Sequence, residues 1–276
     1  MPAREPLAPE PVSPDAPGFA GPTMMTQRWR DAAFLHWALD PAEVAPMLPK
    51  GVHPDVHEGR TFVGLVPFRM VDAGLGRGPA VPWAGTFLET NVRLYTLDET
   101  GKRGIVFRSL DASRALVVAG ARVMFGLPYR WARMAFSAED GQMTYRTVTR
   151  GKGHRSVVRV HPAAPVEPRD HLADFLTARW GLHEGHLGVT WYVPNVHESW
   201  PLHHATLEYL DDELVAAAGF PSLRGRVPDL AHFSPGVSVR FGFPRPAAMT
   251  RDVMVGPAPG PYRRSRDRHR TAPDPA

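Results

Sequence analysis

The chain of 276 residues contains no cysteine. Disulfide cross-links and thiolate metal sites are therefore excluded, and a reducing compartment suits the composition. Lysine is almost absent as well, with Lys50, Lys102 and Lys152 the only three. Each adjoins a glycine in a turn-like stretch (Pro-Lys-Gly, Gly-Lys-Arg, Gly-Lys-Gly) and is expected to be exposed. Long apolar runs are missing too. None reaches the roughly 18 residues of a membrane span, and the longest candidate, 115–128, is interrupted by Arg122. The N-terminal stretch lacks the apolar core of a secretory signal and is broken by prolines, so the expected location is the cytoplasm, away from any membrane. A basic face is the last absence. The formal net charge is +4, and Arg263, Arg264, Arg266, Arg268 and Arg270 against Asp267 account for all of it. The remainder is near neutral, which argues against a nucleic-acid partner.

Residues 1–23 are rich in proline and alanine, and 247–276 in arginine and proline. Neither stretch offers enough large apolar side chains to offset the entropy of ordering, and both are expected to be disordered tails. Between them, 24–246 reads as one domain. Asp40 followed by Pro41 is the signature of a capped helix start, ending at Pro49-Lys50-Gly51. Strands are expected at 61–70, 87–96, 104–109, 142–149, 156–161, 187–193, 205–210 and 237–243. Helices are expected at 169–180 and 211–218. Many strands with few short helices predict a mostly β (α+β) fold, an antiparallel barrel or curved sandwich with helices at its rim.

Two stretches carry candidate chemistry. In 87–96 a period of two puts Phe87, Glu89, Asn91, Arg93 and Tyr95 on one face and Leu88, Thr90, Val92 and Leu94 on the other. The aliphatic face packs on a core. The other face is either solvated or lines an interior cavity. In 119–132, Arg122 sits in an apolar run where an unpaired charge is costly. It meets a carboxylate such as Glu89, reaches solvent, or bonds carbonyls at the following Gly126-Leu127-Pro128 turn, which aims Tyr129 and Arg130.

At these residues the chain resembles the acetoacetate decarboxylase-like superfamily, and most closely its YqjF-like branch of uncharacterised conserved proteins. The resembling stretches run in order: Arg28-Trp29-Arg30 with Leu39-Asp40 through Met47-Leu48-Pro49, then Thr86-Phe87-Leu88-Glu89, Arg122 through Arg130, and Val196-His197-Glu198-Ser199-Trp200. The resemblance implies a cone-shaped antiparallel β-barrel around a pocket for a small acid or carbonyl compound, lined or supported by Arg28, Glu89 and Arg122. Where the decarboxylases carry a pair of lysines, one forming a Schiff base, this chain has Tyr129-Arg130. Neither side chain forms an imine with a ketone, so the covalent lysine chemistry is not inherited.

The expected catalytic set is Glu89, Arg122 and Tyr129, with Arg28, Asn91, Arg93, Arg130 and His197 binding substrate. His197 has a competing reading as a buried histidine bonded to backbone. Among the 13 histidines, His183 and His186 fall in an expected loop and none shows a helical metal-binding spacing, so no metal or cofactor is expected. Two functions follow. One is non-covalent lyase or hydrolase chemistry on an organic acid or ketone. The other is non-catalytic binding of a small acidic or aromatic metabolite, as a sensor or carrier. A homo-oligomer is compatible with either.

Overall fold

In a computed structural model the described residues are 8–19 and 21–247. In chain order they form β1 (Thr23–Leu39), α1 (Pro41–Val44), β2 (Val52–Pro54), β3 (Thr61–Leu75), β4 (Phe87–Asp98) and β5 (Arg103–Ala112). Then come α2 (Ala115–Phe125), β6 (Tyr129–Glu139), β7 (Gln142–Thr149), β8 (Arg155–Pro165) and α3 (His171–Thr177). The rest is β9 (Gly181–His186), β10 (Val189–His197), β11 (His203–Asp212), α4 (Leu214–Ala217), β12 (Leu230–Gly242) and β13 (Arg245–Pro246). The fold is mostly β, with short helices. The strands form one sheet in the order β13-β10-β9-β5-β6-β7-β8-β11-β12-β1-β3-β4-β2. Further pairings of β10 with β12 and of β5 with β4 join distant members of that order, so the sheet runs back on itself as a ring.

Most pairings are antiparallel, but β5 pairs in parallel with β6 and, through a single residue pair, with β9. Parallel neighbours require a crossover connection, and α2 is that connection. The run at 115–128 is thus a surface helix followed by a turn. Val117, Val118 and Ala121 face inward at helical spacing, while Leu116, Arg122 and Val123 are exposed.

At the N-terminal end of the domain, α1 begins with the expected cap. Asp40 accepts from Ala42 N–H at 2.8 Å, and Glu43 reaches back to the Asp40 N–H. The strand expected at 187–193 begins instead at Val189. Leu187 and Gly188, with φ of 51° and 78°, form the two-residue turn of the β9–β10 hairpin. His183 and His186 lie in β9 rather than in a loop. Gly181, at the start of β9, serves packing: a Cβ there would lie 2.3 Å from the Tyr192 ring.

β4 divides the interior. Its Val92 and Leu94 join a core with Leu35, Leu65, Val158 and Val160, all essentially without exposure. The opposite face of β4 looks into the cavity described below.

Two expectations are corrected at the N-terminal side. Residues 8–19 are neither helix nor strand, yet they are docked. Glu10 bonds the Gly101 carbonyl through its N–H, pairs with Lys102, and accepts from Arg103 through its own carbonyl. Ser13 and Pro14 carbonyls accept from Trp180 and Ser199. Lys102 is consequently buried rather than exposed, because this segment covers it. The arginine-rich stretch 263–270 lies outside the described residues. No helix among those described is long and apolar enough to cross a membrane.

Candidate functional site

A cavity of about 530 Å³ opens against β1, β3, β4 and β5, with α2 and β9–β10 completing its wall. Its surface is predominantly apolar and aromatic, the usual make-up of a small-molecule site. Trp29 and Trp200 stack at 5.9 Å, Phe34 meets Trp200 edge-on at 5.0 Å, and Phe68 meets Trp29 at 5.8 Å. Strand alternation delivers these rings. On β1, Trp29 faces the cavity; a register shift after Arg30, with Asp31 at φ 48°, resets the phase so that Ala32 and Phe34 face it too.

Four of the expected site residues converge here: Glu89, Asn91, Arg93 and Tyr129. On β4 the alternating face indeed lines the cavity. Tyr129, at the start of β6, donates its hydroxyl to Glu89 Oε2 at 2.8 Å. Burial pushes the Glu89 carboxyl up to about 7, with the Tyr129 hydrogen bond opposing and nearby Asp111 reinforcing the rise. Burial and the adjacent Glu89 hold the Tyr129 phenol well above its ordinary value. At neutral pH the carboxyl is thus poised between its two forms while the phenol keeps its proton.

Arg93 is 7% exposed. Its Nε donates to Tyr95 Oη at 3.1 Å and its Nη2 to the Leu176 carbonyl at 3.2 Å, in the last turn of α3. That carbonyl belongs to the set a helix end leaves without an internal partner.

The other four expected residues lie elsewhere, for identifiable reasons. Arg28 precedes inward-facing Trp29 on β1, so it points out and pairs with Asp72 at 3.0 Å at the surface. Arg122 projects from the exposed side of α2, and its Nε donates to the Tyr129 carbonyl. It does not meet Glu89; it holds the backbone that carries Tyr129. Arg130 falls on the side of β6 opposite Tyr129 and pairs with buried Asp111, which also accepts from Thr149 at 2.7 Å. His197 donates through Nδ1 to the Glu198 carbonyl at 2.7 Å and packs between Trp180 and Trp200. It is the backbone-bonded histidine of the competing reading, and burial lowers its pKa.

Several cavity residues escaped the sequence reading. Trp29 and Trp200 sit inside two of the resembling stretches, beside the polar residues Arg28 and His197 that were expected to bind substrate. Glu184 lies between the two histidines weighed as metal ligands; it lines the cavity, and burial raises it to about 7. Its signal was the alternation of β9, which was hidden while that stretch was read as a loop. Among the described residues no three histidine, aspartate or glutamate side chains are grouped to hold a metal ion. Among the described residues, which include all three lysines, no lysine lines the cavity.

Comparison with known proteins agrees with this architecture. The chain is 30% identical over 199 residues to the uncharacterized protein YqjF of Bacillus subtilis, covering 71% of this chain and 82% of that one. Among solved structures it is similar to an acetoacetate decarboxylase-like enzyme from Sphingomonas wittichii, with a TM-score of 0.57 and 13% identity over 84% of this chain and 99% of that one. It is similar also to acetoacetate decarboxylase from Legionella pneumophila, with a TM-score of 0.54 and 14% identity over 84% and 91%. These establish a fold of the acetoacetate decarboxylase-like type. Residues 26–238 match the model of a family described as uncharacterized conserved protein, and the chain belongs to that family, DUF2071.

Proposed function

We propose that the strand ring is a cone-shaped barrel whose cavity binds a small organic acid or ketone. Within it the Glu89–Tyr129 pair performs non-covalent acid–base chemistry of a lyase or hydrolase. The observation that carries this reading is the buried hydrogen bond between the Tyr129 hydroxyl and Glu89 at the wall of a ligand-sized cavity. A carboxyl near 7 both accepts and returns a proton at neutral pH. Once protonated, the Glu89 carboxyl can donate to Tyr129 Oη in turn, which frees the phenol proton for a hydrogen bond to a carbonyl oxygen on which charge develops. Arg122 acts through Tyr129, by bonding its backbone carbonyl. An imine intermediate has no lysine to form on in this lining.

The test is incubation of the full chain with a panel of aliphatic and aryl β-keto acids and esters, followed by NMR for loss of substrate. Turnover that falls at least a hundredfold in both Glu89→Gln and Tyr129→Phe supports the reading; undiminished turnover in either removes that residue from the mechanism. Borohydride added with a β-keto acid should leave the protein mass unchanged, and a trapped lysine adduct overturns the non-covalent chemistry. The strongly apolar lining favours a second reading, a sensor or carrier. Ligand-induced thermal stabilisation without turnover of any probe would select it.

A further inference from the structure

Three lysine or arginine side chains are buried among the described residues: Arg93, Lys102 and Arg179. Lys102 pairs with Glu10, and Arg179 pairs with Asp55. Arg93 makes no ion pair among the described residues. A guanidinium stays charged in a protein interior, and a buried charge without a counter-ion is strongly unfavourable. The neighbours of Arg93 compensate only in part. They are one phenol oxygen, one carbonyl, and the faces of Phe34 and Tyr95 at 5.4 and 5.5 Å from the guanidinium carbon.

The side chain is nevertheless held in place. Because Arg93 Nε can only donate, Tyr95 Oη accepts from it and passes its own proton toward His36 Nε2 at 2.6 Å. His36 is buried and accepts that proton in its neutral form. These contacts leave Arg93 Nη1 without a protein partner among the described residues, on a residue that lines the cavity.

A second observation comes from the same face of β4. Asn91, 5% exposed, also lines the cavity, and its Oδ1 is buried without a hydrogen-bond partner. It lies between Arg93 and Glu89, which are four residues apart, or ~13 Å along a strand. The two ends of this polar row are a cation and an acid–base pair. The Trp29–Trp200 stack lines the same cavity, and Phe34 links it to Arg93, lying 5.0 Å from Trp200 and 5.4 Å from the guanidinium carbon. A cavity of about 530 Å³ is far larger than a four-carbon keto acid requires.

From this arrangement we infer that the cavity takes an elongated aromatic monocarboxylate. Its carboxylate neutralises Arg93, its ring lies on the tryptophan wall, and a carbonyl or hydroxyl group at its far end meets Glu89 and Tyr129. The inference rests on the pocket reading above and adds to it the ligand class and its direction of binding.

The test uses tryptophan fluorescence of the full chain, titrated with 6-phenylhexanoate, 3-phenylpropionate, acetate and the primary amide of each. Wild-type protein should bind 6-phenylhexanoate at least tenfold more tightly than its amide, and far more tightly than acetate. Arg93→Gln should abolish the acid-over-amide preference, Arg93→Lys should retain part of it, and Arg28→Ala, which removes a surface cation, should retain it fully. Equal affinity for acid and amide in the wild type overturns the inference, and that comparison needs no variant to fold. A preference that survives Arg93→Gln overturns it as well. Either outcome leaves the Glu89–Tyr129 chemistry standing, because that is read by turnover and not by binding.

Discussion

At Glu89, burial acts against hydrogen bonds from Tyr129 and Asn91 on the same carboxyl, and burial wins. The consequence is measurable without knowing any substrate. With a folded-state value of about 7 against an ordinary 4.5, the native state holds the proton more tightly than the unfolded chain does. The stability this contributes is fully present below about 4.5 and is lost as pH rises through about 7. The displacement is worth on the order of 3 kcal/mol. Glu89→Gln, which cannot ionise, should therefore gain on the wild type by roughly that amount between pH 4.5 and 8, by urea denaturation. A difference that is flat with pH would mean that Glu89 titrates normally. Buried His36, His197 and His232 act with the opposite slope. Burial lowers each of them, so their contribution is lost as pH falls below the ordinary histidine value. They are common to both proteins and cancel in the comparison.

At the scale of elements, α2 is the piece whose placement depends most on a single small residue. Gly126 ends it at φ 70°, and a Cβ there would lie 2.2 Å from His186 Nδ1 on β9. Gly126→Ala therefore combines left-handed backbone strain with a collision against a residue that lines the cavity. It should cost on the order of 2 kcal/mol and weaken ligand binding. Gly120, in the middle of the same helix, has no atom within 4 Å of its would-be Cβ. Gly120→Ala should be neutral or stabilising by up to about 1 kcal/mol through helix propensity alone. The pair is compared by thermal melts. Equal effects would deny the close packing of α2 on β9.

For the molecule as a whole, the docked segment 8–19 is the feature with the plainest test. It covers Lys102 and pairs with it through Glu10, and Val12 packs on a cluster that includes Ile105 and Phe175. Removing residues 1–19 should lower Tm by a few degrees, since 1 kcal/mol is worth ~2–4 °C in a chain of this size. An unchanged Tm would return the segment to the disordered tail that its composition suggested.

Much of this protein was readable along the chain. The period of two in 87–96 placed Glu89, Asn91 and Arg93 together and sent Val92 and Leu94 to the core, because alternation is a local property of any strand. The Asp40–Pro41 start was equally local, whereas the exposure expected of all three lysines was not, because residues 8–19 cover Lys102. What the chain order could not supply was phase and pairing. Arg28 and Trp29 are adjacent, and only the pairing of β1 with β3 and β12 decides which one faces the cavity. Arg122 is three residues from the end of a helix that exists because β5 and β6 run parallel, a fact about partners distant in sequence. Arg93 stands out for the same reason. Nothing in 87–96 shows that this cation lacks a carboxylate, because a counter-ion is contributed, or withheld, by strands and helices far along the chain. Residue types and spacing determined which groups are present and on which face of a strand. Tertiary structure decided which of them meet, because burial and ion pairing depend on neighbours in space.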